Sequence, residues 1–259
     1  MTEALTLSLD PAQSAGLLLA ITRVAAFAIA VAPISAVLPM PARAALSVAL
    51  GWFLAEPYEG SLSPYALLSA AAINAGLGAA LGWMAGVILQ VFFTAGAWLD
   101  IQSGLFAAVL IDPTMGDRAG IYARFFNWIG FALFYTVGGL EVLVRGLDAS
   151  FSLVAADGAM AFDPARLAET ALDLVARVML GGLELALPVA AALFLTEVGL
   201  GLASRFSPQT NVFMLGLPAK LLISLSLVSV TVMLFPEAMG GALDAMEHAM
   251  AEVIRAFMP

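Results

Sequence analysis

From Gly60 to Leu99 the chain runs for 40 residues without a charged side chain. As one unbroken helix that run would reach roughly 60 Å, against about 30 Å for the hydrocarbon core of a bilayer. Either the segment folds back, or one helix extends well past the lipid; the residues leave both open. A run of this kind has no polar face to offer water. The rest of the chain is similar: 62% of its 259 residues are hydrophobic and 11% are charged, and the mean hydropathy is +1.00. A soluble domain carries roughly a quarter charged residues. The composition therefore predicts an all-α integral membrane protein, with long kinked apolar helices in contact with the lipid bilayer.

Several function classes fall away on residue type. Cysteine is absent and His248 is the only histidine. Disulfides, Cys-ligated zinc and a two-histidine metal site within one chain are thereby excluded. The net charge is −9, and the basic residues, nine arginines and Lys220, are scattered. That argues against nucleic acid and against polybasic attachment to anionic lipid. No P-loop, H-E-x-x-H pair or G-x-S-x-G elbow occurs. No catalytic residue, metal or cofactor is expected. Glu3 and Asp10 precede the first apolar run, whose first basic residue is Arg23. A cleaved leader opens with positive charge, so the run reads as a retained helix.

Prolines and glycines divide the chain. A first helix is expected from about Ala12 to Ala32, broken by Pro33, Pro39 and Pro41, and a second from Ala42 to Ala55. Glu56 to Gly60 reads as a polar turn. Phe106 to Arg118 reads as a break in helix. A span from Asn127 to Val144 is interrupted at Gly138-Gly139. A long helical region follows from Pro164 to about Ser204, with Pro188 as a kink. After a turn at Ser207 to Asn211, an apolar helix runs from Leu215 to Phe235 and is ended by Pro236 and Gly240-Gly241. In the tail, Leu243, Met246, Met250, Val253, Ile254 and Phe257 share one stripe at helical pitch, with His248 on the opposite, polar side.

Two patterns carry sharper expectations. Gly78, Gly82 and Gly86 give α-helical spacing to a face without side chains, suited to close helix packing inside the chain or at a subunit interface. Arg23, Glu184, Glu197 and Lys220 sit inside apolar runs, where ionisable groups are costly. Glu197 lies 11 residues before Pro208 and Lys220 lies 12 after it. In an antiparallel hairpin both would sit about 17 Å from the turn, which predicts an intramembrane charge pair.

The motifs in order are more specific than composition. Arg23 is followed by Ala32-Pro33-Ile34 and Pro39-x-Pro41-x-Arg43. Gly76 to Gly86 leads into Gln90, Gly96, Asp100, Gln102 and Gly104, ending at Asp112-Pro113. Leu185-Ala186-Leu187-Pro188 leads to Gly199, Gly201-Leu202 and Arg205, then Pro208-Gln209-Thr210-Asn211-Val212-Phe213 and Gly216-Leu217-Pro218-Ala219-Lys220. Along nearly the whole chain this resembles the FliR family of flagellar type III export-gate subunits and its injectisome relatives, the SctT family. The hairpin-turn motif Arg205, Pro208, Gln209, Asn211 and Phe213 is its most specific part. One departure is Leu140, where family members often carry a histidine after the glycine pair.

The resemblance implies a fold of bent helical hairpins, with a FliP-like part over about 1–155. A FliQ-like hairpin and amphipathic C-terminal helix would cover about 156–259. It implies a structural, non-enzymatic role in the inner membrane at the flagellar basal body. Its partners would be FliP-like and FliQ-like subunits and a FlhB-like subunit, and its cargo unfolded export substrates. A loop in that family blocks the closed pore. The corresponding stretch holds Gly104, Leu105, Phe106, Val109, Leu110, Ile111, Asp112, Pro113, Met115 and Gly116, and its bulky apolar residues suit a constriction that excludes water. The rival readings are an injectisome homologue and a small-solute transporter using Arg23, Glu197 and Lys220 as coupling groups.

Overall fold

The computed structural model describes residues 10–105, 120–155, 162–206 and 212–258, with backbone alone for 212–215. Among the described residues the chain is helical and has no strand. The helices are α1 (Pro11–Ala30), α2 (Ala32–Val37), α3 (Met40–Leu54), α4 (Pro64–Val87) and α5 (Gln90–Ser103). They continue with α6 (Ile121–Thr136), α7 (Gly139–Leu153), α8 (Pro164–Phe206), α9 (Val212–Met233) and α10 (Phe235–Ala256).

The prolines open helices more often than they close them. Pro33 lies in the first turn of α2, Pro39 precedes α3 and Pro41 lies in its first turn. The second predicted helix therefore starts at Met40 instead of Ala42. A proline costs nothing in a first turn, whose N–H groups have no intrahelical acceptor in any case. The same reason corrects the C-terminal reading. Pro236 and Gly240-Gly241 do not end the preceding helix; they lie in the opening turns of α10, and the amphipathic tail is that helix's second half. The uncharged run of 40 residues resolves into α4 and α5, parted at Ile88-Leu89. Gly138 adopts φ +87°, open to glycine at no steric cost, and separates α6 from α7 where the glycine pair predicts an interruption.

The described residues form two compact units. One comprises Met1–Val87, Glu141–Leu172 and Met246–Pro259. In it α1 packs against α3 and α4. The segment after α3 lies over the start of α1, where the Tyr58 N–H donates to the Ala12 carbonyl at 3.0 Å. The other comprises Ile88–Leu140 and Asp173–Ala245. There α5 packs against α6, and the Phe235 ring of α10 meets Phe92 at a tilt and Phe126 edge-on, at centroid distances of 4.8 and 5.0 Å. Gly96 admits the backbone of Tyr122 and Ala123 at the α5–α6 crossing.

Four helical stretches are long and apolar enough to cross a membrane: Pro11–Ala30, Pro64–Val87, Pro164–Phe206 and Gly216–Met233. The broken pair α6–α7 would make a fifth. Large apolar side chains stay uncovered along several of them, among them Leu68, Phe194, Leu195, Leu222 and Leu225.

Candidate functional site

Two charged side chains are fully buried among the described residues: Arg23 and Asp100. Each is held by neutral groups, Arg23 by a mid-helix amide and a helix C-terminus and Asp100 by a helix N-terminus. The Arg23 guanidinium donates from Nε to Asn74 Oδ1 at 2.8 Å, from Nη1 to the Ser150 carbonyl at 2.6 Å and from Nη2 to the Val154 carbonyl at 3.0 Å. Asn74 in turn donates Nδ2 to the Ala70 carbonyl at 2.8 Å, which aims its oxygen at the arginine. The guanidinium carbon stands 4.3 Å from the Phe151 ring centroid. Ser150 and Val154 supply carbonyls at the C-terminal end of α7, where the macrodipole is negative, and Ser150 shares its oxygen between the guanidinium and the Val154 N–H at 3.2 Å. One planar fork thus ties α1, α4 and the C-terminus of α7 together.

Asp100 does the converse at a helix N-terminus. Its Oδ1 accepts the Tyr122 N–H at 3.0 Å and its Oδ2 the Ala123 N–H at 2.9 Å. These are free donors of the first turn of α6, whose own N-cap Gly120 has no side chain to offer. A Cβ at residue 120 would overlap the Asp100 carboxylate, so only glycine lets it approach. Burial pushes the Asp100 carboxyl above the usual carboxylate range, against bonds from the backbone of Ala123, Tyr122 and Ile121 and the nearby charge of Arg124. Tyr122 also exchanges a hydrogen bond with Ser224 of α9 at 2.9 Å, between their hydroxyls.

The predicted stretch from Gly104 to Gly116 is described only at its start. Gly104 caps α5 in the left-handed region, φ +84°, and its N–H donates to the Ile101 carbonyl at 3.3 Å. Phe106, Val109, Leu110, Ile111, Asp112, Pro113, Met115 and Gly116 lie outside the described residues.

The structure brings Glu197 and Lys220 together: Lys220 Nζ donates to Glu197 Oε1. The lysine side chain is 20% exposed and the glutamate side chain 50%. Of the turn motif, Arg205 is exposed in the last turn of α8 and Phe213 falls in the first turn of α9. Pro208, Gln209 and Asn211 lie outside the described residues. Neutralising either charge alone, E197Q or K220Q, is expected to cost about 1 to 3 kcal/mol. The lower bound is the value of a solvated pair and the upper that of a lone charge in hydrocarbon. The swap E197K/K220E should recover part of that loss. Monodispersity in detergent reads the result, and a swap no better than the single changes would dismiss the pairing.

Gly78 and Gly82 face α1, and Gly86 faces the start of α2, within the same chain. A Cβ at Gly78 would overlap the Arg23 carbonyl oxygen; one at Gly82 would lie 2.5 Å from the Phe27 oxygen and one at Gly86 2.7 Å from the Ala32 nitrogen. The stripe serves intrachain packing, driven in lipid by close dispersion contact. Glu184 is exposed and lines a cavity of about 380 Å³ with Arg177, Gly181 and Glu237. No group of three metal-ligating side chains occurs among the described residues.

Sequence reasoning singles out Arg23 but not its partners. Two of those are backbone carbonyls, which no residue type announces. Asn74 was the available signal: it is one of few strongly polar side chains between Gly60 and Leu99. The role of Asp100 was hidden likewise, since both its partners are backbone N–H groups.

Apolar helices of bilayer length, buried ions spent on helix ends and uncovered leucines and phenylalanines define an α-helical integral membrane protein. The family model "Bacterial export proteins, family 1" matches residues 14–246, and the chain belongs to that family. It is similar to the flagellar biosynthetic protein FliR of Escherichia coli K12, 31% identical over 153 residues, covering 59% of this chain and 58% of the relative. FliR of Bacillus subtilis strain 168 is 29% identical over 149 residues, covering 57% and 58%. The surface presentation of antigens protein SpaR of Salmonella typhimurium is 32% identical over 158 residues, covering 60% and 56%. The chain thus spans under three-fifths of the length of these curated relatives.

Proposed function

We propose that this chain is a structural and gating subunit of a flagellar type III protein-export gate. The observation that carries the reading is the export-family match over residues 14–246. The chain would assemble with FliP-like and FliQ-like membrane subunits and a FlhB-like subunit in the bacterial inner membrane at the flagellar basal body. Unfolded flagellar proteins would pass through the shared pore, with Gly104 to Gly116 as its plug. Energy would come from other components, and the chain itself would not be an enzyme. Its first 155 residues would act as the FliP-like part and the remainder as the FliQ-like hairpin.

Two features support assembly. Apolar side chains on α8 and α9 stay uncovered. Between them sits Glu197, a half-exposed carboxylate that favours protein or water over lipid. The 32% identity to SpaR keeps the injectisome branch as the second reading.

Deleting the gene from its source bacterium tests the proposal. The expected strain is non-motile and without filaments, with flagellar export substrates retained inside the cell, and is restored by the gene in trans. A fully flagellated deletion strain overturns the flagellar reading.

A further inference from the structure

Each oxygen of the Asp100 carboxylate takes a bond of the same kind. Both oxygens accept, both donors are backbone N–H groups, and both donors belong to the first turn of α6. The ionised form fits that pattern best. Protonation leaves one full acceptor and turns the other oxygen into a hydroxyl, a much weaker acceptor for the N–H that faces it. Burial penalises the charge that the two bonds favour, so the two effects act on the carboxyl in opposite directions. We propose that Asp100 is a protonation-controlled latch on α6: ionised, it holds the N-terminus of that helix, and protonated, it lets go.

Among the described residues, the charged groups on the elements around the carboxylate are few. On α6 itself, Arg124 stands one turn in and stabilises the anion. Lys220, the cation of α9, is engaged by Glu197. α8 meets α5 at Thr94 and Ala95 through Gly182, and its nearby ions Arg177 and Glu184 line the cavity with Glu237 of α10. Asp244 is the other ionisable group of α10 in this unit. Because the net direction for Asp100 is upward, the folded chain takes up a proton more readily than the unfolded chain. This group's contribution to global stability is therefore present below its unfolded value and lost as pH rises through its folded one. Local order at α6 moves the opposite way, tightening as pH rises.

The chain has no cysteine, so a single nitroxide can report on that end without background. The label goes on I121C, an exposed position at the start of α6, in the purified full-length chain, with Y65C on α4 as reference. The mobile component of the spin-label spectrum at 121 should grow several-fold as pH falls through the Asp100 titration, while residue 65 stays unchanged. D100N, whose amide offers one acceptor, should be mobile at every pH. R124Q, an exposed change that removes the stabilising charge, should move the midpoint to higher pH. A spectrum at 121 independent of pH, an unmoved midpoint in R124Q, or a wild-type response in folded D100N would each overturn the latch.

Discussion

Replacing Arg23 with methionine is expected to remove most of the folded chain recoverable in detergent, a loss of about 3 kcal/mol or more. Methionine keeps much of the volume but withdraws the guanidinium donors from Asn74 Oδ1 and from the Ser150 and Val154 carbonyls, of which Ser150 keeps the Val154 N–H at 3.2 Å. Each stranded buried acceptor costs about 1 to 3 kcal/mol. Against this stands relief from burying a charge, which is worth several kcal/mol. The acceptors prevail because the fork satisfies three of them and stacks on Phe151 at the same time. R23K discriminates charge from geometry. Lysine keeps the cation, but its compact head cannot span three acceptors, so its thermal midpoint should fall between the other two. A methionine variant melting with wild type would show that the fork holds nothing.

The second large effect is steric. G78A adds one methyl group to α4, yet that methyl would overlap the Arg23 carbonyl oxygen. The obstacle is backbone and cannot rotate away, so α1 must move off α4. Overpacking of this kind costs about 1 to 3 kcal/mol and occasionally more. G76A on the same helix meets nothing within 4 Å. It should be neutral or stabilising by up to about 1 kcal/mol, through alanine's better helix propensity. Because the shifted backbone belongs to Arg23 itself, G78A and R23M should be less damaging together than their sum. Thermal denaturation of the four variants decides it; equal melting of G78A and G76A would refute the close-approach account.

The helical class was legible because the uncharged run from Gly60 to Leu99 admits little else. The interruption at Gly138-Gly139 and the long region opening at Pro164 were legible for local reasons: glycine reaches positive φ and proline starts a helix. The contact of Glu197 with Lys220 could be reached by counting from Pro208, since a hairpin equalises depth. Pro33 and Pro41 mark real breaks, whereas Pro236 misled for a physical reason. A proline marks a discontinuity, and only the flanking acceptors decide on which side of it the helix lies. The two buried ions resisted reading because each is answered by main-chain atoms. Ser150 lies 127 residues from Arg23 in sequence, and its carbonyl could belong to any residue type.

The length of α8 sets a limit on what can shelter it. Uncovered apolar side chains run along it from Leu172 to Phe206, roughly 51 Å at 1.5 Å per residue. A hydrocarbon layer about 30 Å thick covers about 40 Å of a rod tilted by 40°, the steep end of what membrane helices adopt. Some 10 Å of greasy cylinder, about two helical turns, is left over. Acyl chains do not reach that part, so its leucines and phenylalanines gain most from packing against polypeptide, while Asp173, Arg177 and Arg205 meet headgroups and water.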